Sequence, residues 1–323
     1  MQKQRIGFEK GSIVCWALVC LIVFLLVGCA SQKVPATTPA GQMTFKSADA
    51  AKKALIAAVQ EGNAGKVEAI FGPDSKELVL SGDEVADRAT RDRFLQAAGE
   101  KAALVPAGAD NAILHLGKED WPFPIPIVKG ETGWRFDTPA GKEELLNRRI
   151  GRNELFTIEF CRAYVQVQEE YASKDRNSDG IKEFAEKFRS SDGKHDGLYW
   201  RAAQGEEESP LGPLAAEAIQ EGYGQQANPT GQPQPFHGYL FKILTAQGDS
   251  APGGAKSYIT DGRMTGGFAL VAYPVHYGSS GVMTFMVNQQ GIVFQKDLGE
   301  KTADLIKGVT QYDPDDSWQP VAD

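Results

Sequence analysis

Apolar residues recur at helical spacing in the region that follows residue 46. Between residues 47 and 60 they stand three and four positions apart, as Ala51, Ala54, Leu55, Ala58 and Val59. Ser47 precedes them, and serine is a residue type that caps the first turn of a helix. The pattern therefore predicts a helix from Ser47 to about Gln60, and similar patterns predict helices at 67–71 and 84–100.

Short β-like stretches follow those helices, at 112–116, 121–128 and 134–137. Prolines at positions 122, 124 and 126 exclude a central strand there, because proline has no N–H to donate to a neighbouring strand. This segment is therefore expected to be an edge strand or a polyproline-like segment. Either it packs as an ordinary sheet edge, or Trp121 and Phe123 form a docking surface for a partner.

The second half of the chain repeats the order of helix before sheet. Its patterns predict helices at 142–172, 181–188, 214–221 and 302–311, strands at 237–246, 267–273, 281–288 and 292–297, and a hairpin turn at 288–291. Helices followed by antiparallel strands are typical of the α+β class. We predict a small helix-then-sheet domain at 44–140 and, at 141–323, a long helix packed on an antiparallel sheet.

The N-terminus has the order of a secretory signal. Lys3, Arg5 and Lys10 precede an uncharged apolar stretch at 11–28, and Leu26-Val-Gly-Cys29 resembles a bacterial lipobox. The sequence therefore predicts a lipoprotein signal peptide at 1–28, acylation of Cys29 (palmitate among the added chains) and a flexible tether at 29–43. The residue after Cys29 is not Asp, which favours the periplasmic face of the outer membrane. An uncleaved membrane anchor is the alternative.

Charge and cysteine content narrow the possible functions. Loss of residues 1–28 removes three cations and one carboxylate, so the net charge changes from −8 to −10. Such an acidic chain is not expected to bind nucleic acid, which needs a concentrated basic surface. Cys161 is then the single free cysteine, so no intramolecular disulfide is possible. Its apolar helical surroundings favour a buried core residue over a nucleophile.

One motif has the residue spacing of a calcium-binding site. Asp175, Asn177, Asp179, the carbonyl of Ile181 and Glu186 fit the spacing of a calcium-binding loop, with Gly180 at the sharp turn. Lys182 stands where such loops usually have an apolar residue, and there is only one loop where such loops normally pair. A structural calcium site and an Asx-rich turn that caps the next helix therefore both remain open.

Motifs for a defined reaction are missing from the sequence. It contains no nucleophile elbow, phosphate-binding loop, zinc-protease helix or dinucleotide fingerprint. His115, His195, His237 and His276 are separate in sequence and are expected to be structural or surface residues. We therefore predict a non-enzymatic envelope protein that binds a partner or assists assembly. The alternative is a hydrolase-type enzyme with its site in a cleft of the C-terminal sheet.

Several strings, taken together, resemble a bacterial envelope family known as domain of unknown function 2950. They include Arg148-Arg-Ile-Gly-Arg-Asn-Glu154, Asp196-Gly-Leu-Tyr-Trp200, Ser209-Pro-Leu-Gly212, His237-Gly-Tyr239 and Gly267-Phe-Ala-Leu-Val-Ala-Tyr-Pro274. The resemblance covers nearly all of the mature chain. It implies an envelope location and no catalytic residue.

A weaker resemblance concerns the C-terminal half alone. Gln168-Glu-Glu-Tyr171, the Asp-rich turn, Ala272-Tyr-Pro274 and the hairpin from Phe285 to Gly291 are similar to the globular heads of pilins and pseudopilins. A pilin joins its apolar helix directly to this head. Here a lipobox and a whole domain intervene, so the resemblance implies a pilin-head-like fold without pilin assembly.

Overall fold

Helices precede an antiparallel sheet in the N-terminal part of the computed structural model, which describes residues 38–223 and 234–322. The helices are α1 (Ala48–Gln60), α2 (Ala64–Phe71), α3 (Lys76–Val79) and α4 (Glu84–Glu100). The strands are β1 (Ala102–Pro106), β2 (Asn111–Leu116), β3 (Trp121–Pro122), β4 (Ile127–Gly130) and β5 (Gly133–Phe136). The sheet order is β1-β2-β4-β5, with β3 paired to β2.

The capping residues explain where the two longest of these helices begin. The hydroxyl of Ser47 accepts a hydrogen bond from the N–H of Ala50 at 3.1 Å. At α4 the carboxylate of Asp83 accepts from the N–H groups of Val85 and Ala86. Each cap satisfies N–H groups that have no partner within the helix. The predictions of a helix after Ser47 and of a helix at 84–100 are confirmed.

Helices α1 and α2 cover one face of the sheet and form the first hydrophobic core. Its most buried side chains are Leu55, Ile70, Leu114, Ile125 and Phe136, all at most 2 % exposed. On β2 the buried residues alternate with half-buried ones, as expected for a strand with a single buried face. The sequence patterns did not predict β1 or the single turn of α3.

The C-terminal part contains one long helix, one sheet and several short elements. Its helices are α5 (Thr138–Ala172), α6 (Gly212–Glu221) and α7 (Thr302–Gly308). Its strands are β6 (Tyr239–Leu244), β7 (Ala246–Gln247), β8 (Lys256–Ser257), β9 (Ile259–Thr260), β10 (Arg263–Met264), β11 (Ala269–Pro274), β12 (Met283–Asn288), β13 (Phe294–Asp297) and β14 (Gln319–Pro320). The main sheet is antiparallel in the order β14-β13-β12-β11-β6. The predicted α+β class is confirmed.

Helix α5 packs along the main sheet and builds the second core with it. Cys161 and Tyr164 on the helix are fully buried against the sheet, and the Tyr164 hydroxyl donates to the carbonyl of Ala269 at 3.3 Å. The helix begins at Thr138, four residues before the predicted start, and Pro139 fits its first turn because no N–H is needed there. A long helix on an antiparallel sheet is therefore as predicted.

Residues 181–188 are not helical, and the prediction of a helix there is wrong. The backbone of this segment hydrogen-bonds to other elements instead of to itself. The N–H of Phe184 donates to the carbonyl of Met264 at 2.8 Å. The amide side chain of Gln168, which is fully buried, both donates to and accepts from the backbone of Ala185. Because these N–H and C=O groups are already paired, no helical ladder can form.

One turn of α5 connects the two cores. Arg149 donates to the carbonyls of Glu77 and Leu78 on the N-terminal side. On the C-terminal side Asn153 donates to the carbonyl of Ser280 at 2.9 Å, and Glu154 accepts from backbone N–H groups just before β12. The described residues form a single compact unit. The predicted domain boundary at 140 falls inside α5, which serves both cores.

No helix within 38–223 and 234–322 has both the length and the apolar character needed to cross a bilayer. The predicted signal peptide, Cys29 and most of the predicted tether lie outside the described residues.

Two glycines of α5 provide a matched test of this packing. A methyl group at Gly141 would overlap the backbone of Pro124 and Ile125, whereas one at Gly151 would meet no atom within 4 Å. We expect Gly151→Ala to stabilise the protein by about 0.5–1 kcal/mol, because alanine is the better helix former. Gly141→Ala should destabilise it by about 1–3 kcal/mol, because α5 must move away from Pro124. Urea unfolding measures both, and stabilisation by both substitutions would contradict the packing described here.

Candidate functional site

A groove of about 1300 Å³ lies in the C-terminal part. One wall is α6, and the other is the segment 188–201; α5 and the start of β6 provide the floor. We call it the aromatic groove because six rings line it: Phe160, Phe236 and Phe241 in the floor, and Phe188, Trp200 and Tyr223 in the walls. Aromatic side chains with charged groups around them are a common lining of binding clefts in proteins.

The rings of the floor hold one another in place. The centroids of Phe160 and Phe241 lie 4.4 Å apart, and Phe236 lies edge-on to both Phe156 and Tyr223 at 4.9 and 4.7 Å. Such pairs stabilise by about 0.5–1.5 kcal/mol each beyond the area that they bury. The floor is therefore a preformed surface.

Hydrogen bonds within residues 187–197 stabilise the second wall. The hydroxyl of Ser190 donates to the carbonyl of Gly197 and accepts from its N–H, and Asp196 accepts from Lys187 and from Ser191. Burial acts to raise the pKa of Asp196, but these hydrogen bonds outweigh it and lower the pKa to about 2. The carboxylate of Asp196 is therefore charged at neutral pH, and its hydrogen bonds stabilise this wall there.

Trp200 anchors the same wall through a hydrogen bond and ring contacts. Its ring nitrogen donates to the carbonyl of Glu207 at 3.0 Å, and the guanidinium of Arg176 lies 5.3 Å from its ring centroid. His195 stacks on the ring at 4.2 Å. Trp200 is only 7 % exposed, so it supports the groove and offers little surface to a ligand.

Charges line the rim of the groove. Arg189, Lys194 and Arg201 are exposed there together with two carboxylates, Asp192 and Glu206, so cations outnumber anions by one. Glu206 also accepts from the N–H of Ala203. The rim therefore has an excess of positive charge on a chain whose net charge is −8.

A buried carboxylate from the N-terminal part closes one end of the groove. Asp83 is 1 % exposed, and one of its oxygens accepts from the hydroxyl of Tyr223 and from the N–H of Gly238, both at 2.9 Å. Burial and the charge of Asp83 raise the pKa of Tyr223 well above its usual value. His237, next to Gly238, lies with its ring over Phe156 at 3.8 Å.

The predicted calcium loop follows α5, and its Arg176 contacts Trp200 of the groove wall. Asp175 accepts from the N–H groups of Asp179 and Gly180, and these backbone hydrogen bonds lower the pKa of Asp175. Asp179 accepts from the N–H of Ile181 and lies 2.7 Å from a guanidinium nitrogen of Arg263.

The other predicted ligands do not complete a cage around this turn. Asn177 donates to Glu183 at 3.3 Å, and Glu186 lies on the non-helical segment described above. Among the described residues no three His, Cys, Asp or Glu side chains are arranged to hold a metal ion. In this fold the acidic side chains therefore stabilise the turn through hydrogen bonds. Calcium binding remains a prediction.

Phe123 is a core residue, so it cannot form a docking surface. It is 7 % exposed and packs against Phe71, Phe94 and Phe136. Trp121 is 36 % exposed, and the guanidinium of Arg148 lies 5.3 Å from its ring centroid. The segment is the packed sheet edge that the prolines allowed.

The remaining candidates each contact different side chains or backbone. Cys161 is fully buried, and burial raises the pKa of its thiol to about 12, so it is a core residue as expected. His276 packs against Gly82, where a methyl group would overlap its ring. His237 instead lies over Phe156 and beside Glu221.

Sequence reasoning did not find the aromatic groove, although the signal was present. Three of the distinctive strings surround it: 196–200 and 209–212 build its wall, and 237–239 closes its end. The N–H of Leu211 donates to the carbonyl of Leu198, which ties two of those strings together. Periodicity could not reveal this arrangement, because the strings are irregular in structure and separate in sequence.

The fold is α+β, and its C-terminal part contains an aromatic-lined groove. The chain belongs to the family described as "Protein of unknown function (DUF2950)", whose model matches residues 42–321. The predicted family is therefore confirmed. Neither the curated proteins nor the solved structures contain a match, so the likeness to pilin heads remains a prediction.

Proposed function

We propose that this chain is a lipid-anchored protein of the cell envelope that binds a protein partner in the aromatic groove and catalyses no reaction. The groove is the observation that carries the proposal. Its apolar floor supplies a surface whose burial would drive association. Its walls are fixed before binding, so little conformational entropy is lost when a partner binds.

The sequence supports the anchor. A lipobox-like string ends at Cys29, and residues 30–37 separate it from the first described residue. An extended chain spans about 3.3–3.6 Å per residue, so these eight residues reach up to about 30 Å from the membrane. Several acyl chains on one cysteine give stable anchoring, which one chain alone does not.

A hydrolase is the second candidate, because one serine at the rim has a basic neighbour. The ammonium of Lys187 donates to the hydroxyl of Ser191 at 2.8 Å. The same ammonium forms an ion pair with Asp196 at 2.8 Å and is 44 % exposed. A lysine that acts as a base is typically buried without a counter-charge, whereas Lys187 is exposed and paired with a carboxylate. We therefore favour binding over catalysis.

Calcium at residues 175–186 is a separate part of the proposal. The spacing of the loop supports it, while the ion pair between Asp179 and Arg263 would have to open for the ion to bind. Any such ion would stabilise the loop without taking part in chemistry.

Cys29→Ala should remove the lipid anchor completely, because the thiol is the acceptor of the first lipid. We expect no incorporation of an alkyne-labelled palmitate and release of the protein from the membrane fraction. Cys161→Ala is the control: its thiol is buried, so labelling should be unchanged. Label that persists in Cys29→Ala would contradict the anchor.

Two alanines of α6 test the groove. Ala218 lines it, whereas Ala216 lies on the exposed face of the same helix. Ala218→Glu places a charge on the apolar surface, and we expect crosslinking to the partner in intact cells to fall about tenfold, which corresponds to about 1.4 kcal/mol. Ala216→Glu, the same change in the same helix, should leave crosslinking unchanged. Equal effects of the two would exclude the groove as the binding surface.

Isothermal titration of residues 30–323 with calcium chloride tests the loop. If calcium binds, wild type should release heat that is lost in Asp175→Ala, because Asp175 occupies the first position of the motif. If no heat is measured at millimolar calcium, the loop does not bind calcium, and Asp175 only stabilises the turn.

A further inference from the structure

Strand β6 is the last strand at one edge of the main sheet. It pairs with β11 on one side, and among the residues that the structure describes no strand pairs with it on the other. Such an edge presents N–H and C=O groups that a further strand can use. Phe241, in the middle of β6, also lies in the floor of the aromatic groove.

The hydrogen-bond pattern shows which groups point outward. Tyr239 exchanges hydrogen bonds with Phe236, away from β11, and Gly238 accepts from Val275 beyond the end of β11. In an antiparallel pair the direction alternates from residue to residue. The N–H and C=O groups of Phe241 and Ile243 therefore point away from β11.

These four groups lie between two occupied positions. At one end Phe236 pairs with Tyr239, and at the other the carbonyl of Thr245 accepts from the N–H of Tyr258. Within 38–223 and 234–322 no hydrogen bond reaches the outward groups of Phe241 or Ile243. The open stretch is long enough for two residue pairs of an added strand.

We propose that the partner enters this edge as an extended acidic peptide segment, which adds a strand to β6 and places apolar side chains in the aromatic groove. This inference rests on the proposed binding function and names the ligand class. Main-chain hydrogen bonds to Phe241 and Ile243 supply affinity, and alternate side chains of the peptide meet the rings of the floor. The excess of positive charge at the rim, from Arg189, Lys194 and Arg201, favours carboxylates on the peptide.

The test uses residues 30–323 and a synthetic peptide, acetyl-Glu-Val-Thr-Val-Thr-Val-Glu-amide. Hydrogen exchange followed by NMR is the readout. In the free protein the amides of Phe241 and Ile243 should exchange fast, while those of Leu240 and Lys242, which face β11, should be protected. With the peptide, exchange at Phe241 and Ile243 should slow by at least about tenfold, and Leu240 and Lys242 should not change.

Two controls separate backbone pairing from simple apolar contact. The same peptide with alternate nitrogens methylated cannot donate and should bind at least about tenfold more weakly. Replacing its two glutamates by lysines should also weaken binding. In the protein, Ile243→Pro removes one outward N–H and should weaken binding, whereas Ile243→Val keeps the N–H and should bind as wild type. The peptide controls remain decisive if Ile243→Pro does not fold.

Other outcomes would overturn the inference. Binding without protection of Phe241 and Ile243, or equal binding of the methylated peptide, would mean that the groove binds through side chains alone. That result would leave the proposed function intact, since Ala218→Glu tests the groove independently. If the protein forms a dimer that Ile243→Pro dissociates, the strand that pairs with β6 would come from a second copy of this chain. No binding at millimolar peptide would exclude strand addition.

Discussion

A single turn of α5 determines where both halves of the protein lie. Glu154 accepts from the N–H groups of Val282 and Met283 at 2.8 and 2.9 Å, just where β12 begins. Removing a carboxylate from water costs several kcal/mol unless such donors replace the solvent. These hydrogen bonds therefore allow only one register between the helix and the sheet. Arg149, five residues earlier on the helix, applies the same constraint to the N-terminal part through two backbone carbonyls.

The groove depends on that turn. Phe156 and Phe160 follow Glu154 by two and six residues, within two turns of the helix, so a fixed Glu154 also fixes these rings. Asp83 adds the second constraint, since its carboxylate joins the start of α4 to Tyr223 and Gly238 at the end of the groove. Replacing Gly238 would bring a methyl group within 2.6 Å of Asn153, so the close approach requires glycine. The N-terminal part thus holds the groove in shape without lining most of it.

The sequence predicted what depends on local periodicity. The helix after Ser47, the helix at 84–100 and the hairpin turn at 288–291 have patterns that tertiary contacts do not override. Periodicity failed at 181–188, where the apolar spacing is helical but Gln168 and Met264 take the backbone groups. It failed again for the groove, because ring contacts between α5, residues 188–200 and β6 join positions far apart in sequence. The calcium motif shows the same limit: spacing selected five candidate ligands, and Arg263, some 80 residues later, pairs with one of them, Asp179.

The stretch of the β6 edge that could pair with a further strand is short. Tyr239 and the carbonyl of Thr245 are paired, and within the described part of the chain no hydrogen bond reaches the outward groups of Phe241 and Ile243 between them. An edge of six residues would invite pairing with any extended chain, and proteins limit such edges to avoid aggregation. An opening of two residues offers about four hydrogen bonds, each with a net contribution of about 0.5–1.5 kcal/mol. Backbone pairing alone therefore gives weak binding, and selectivity must come from the rings and charges beside it. The aromatic groove lies where those side chains would be needed.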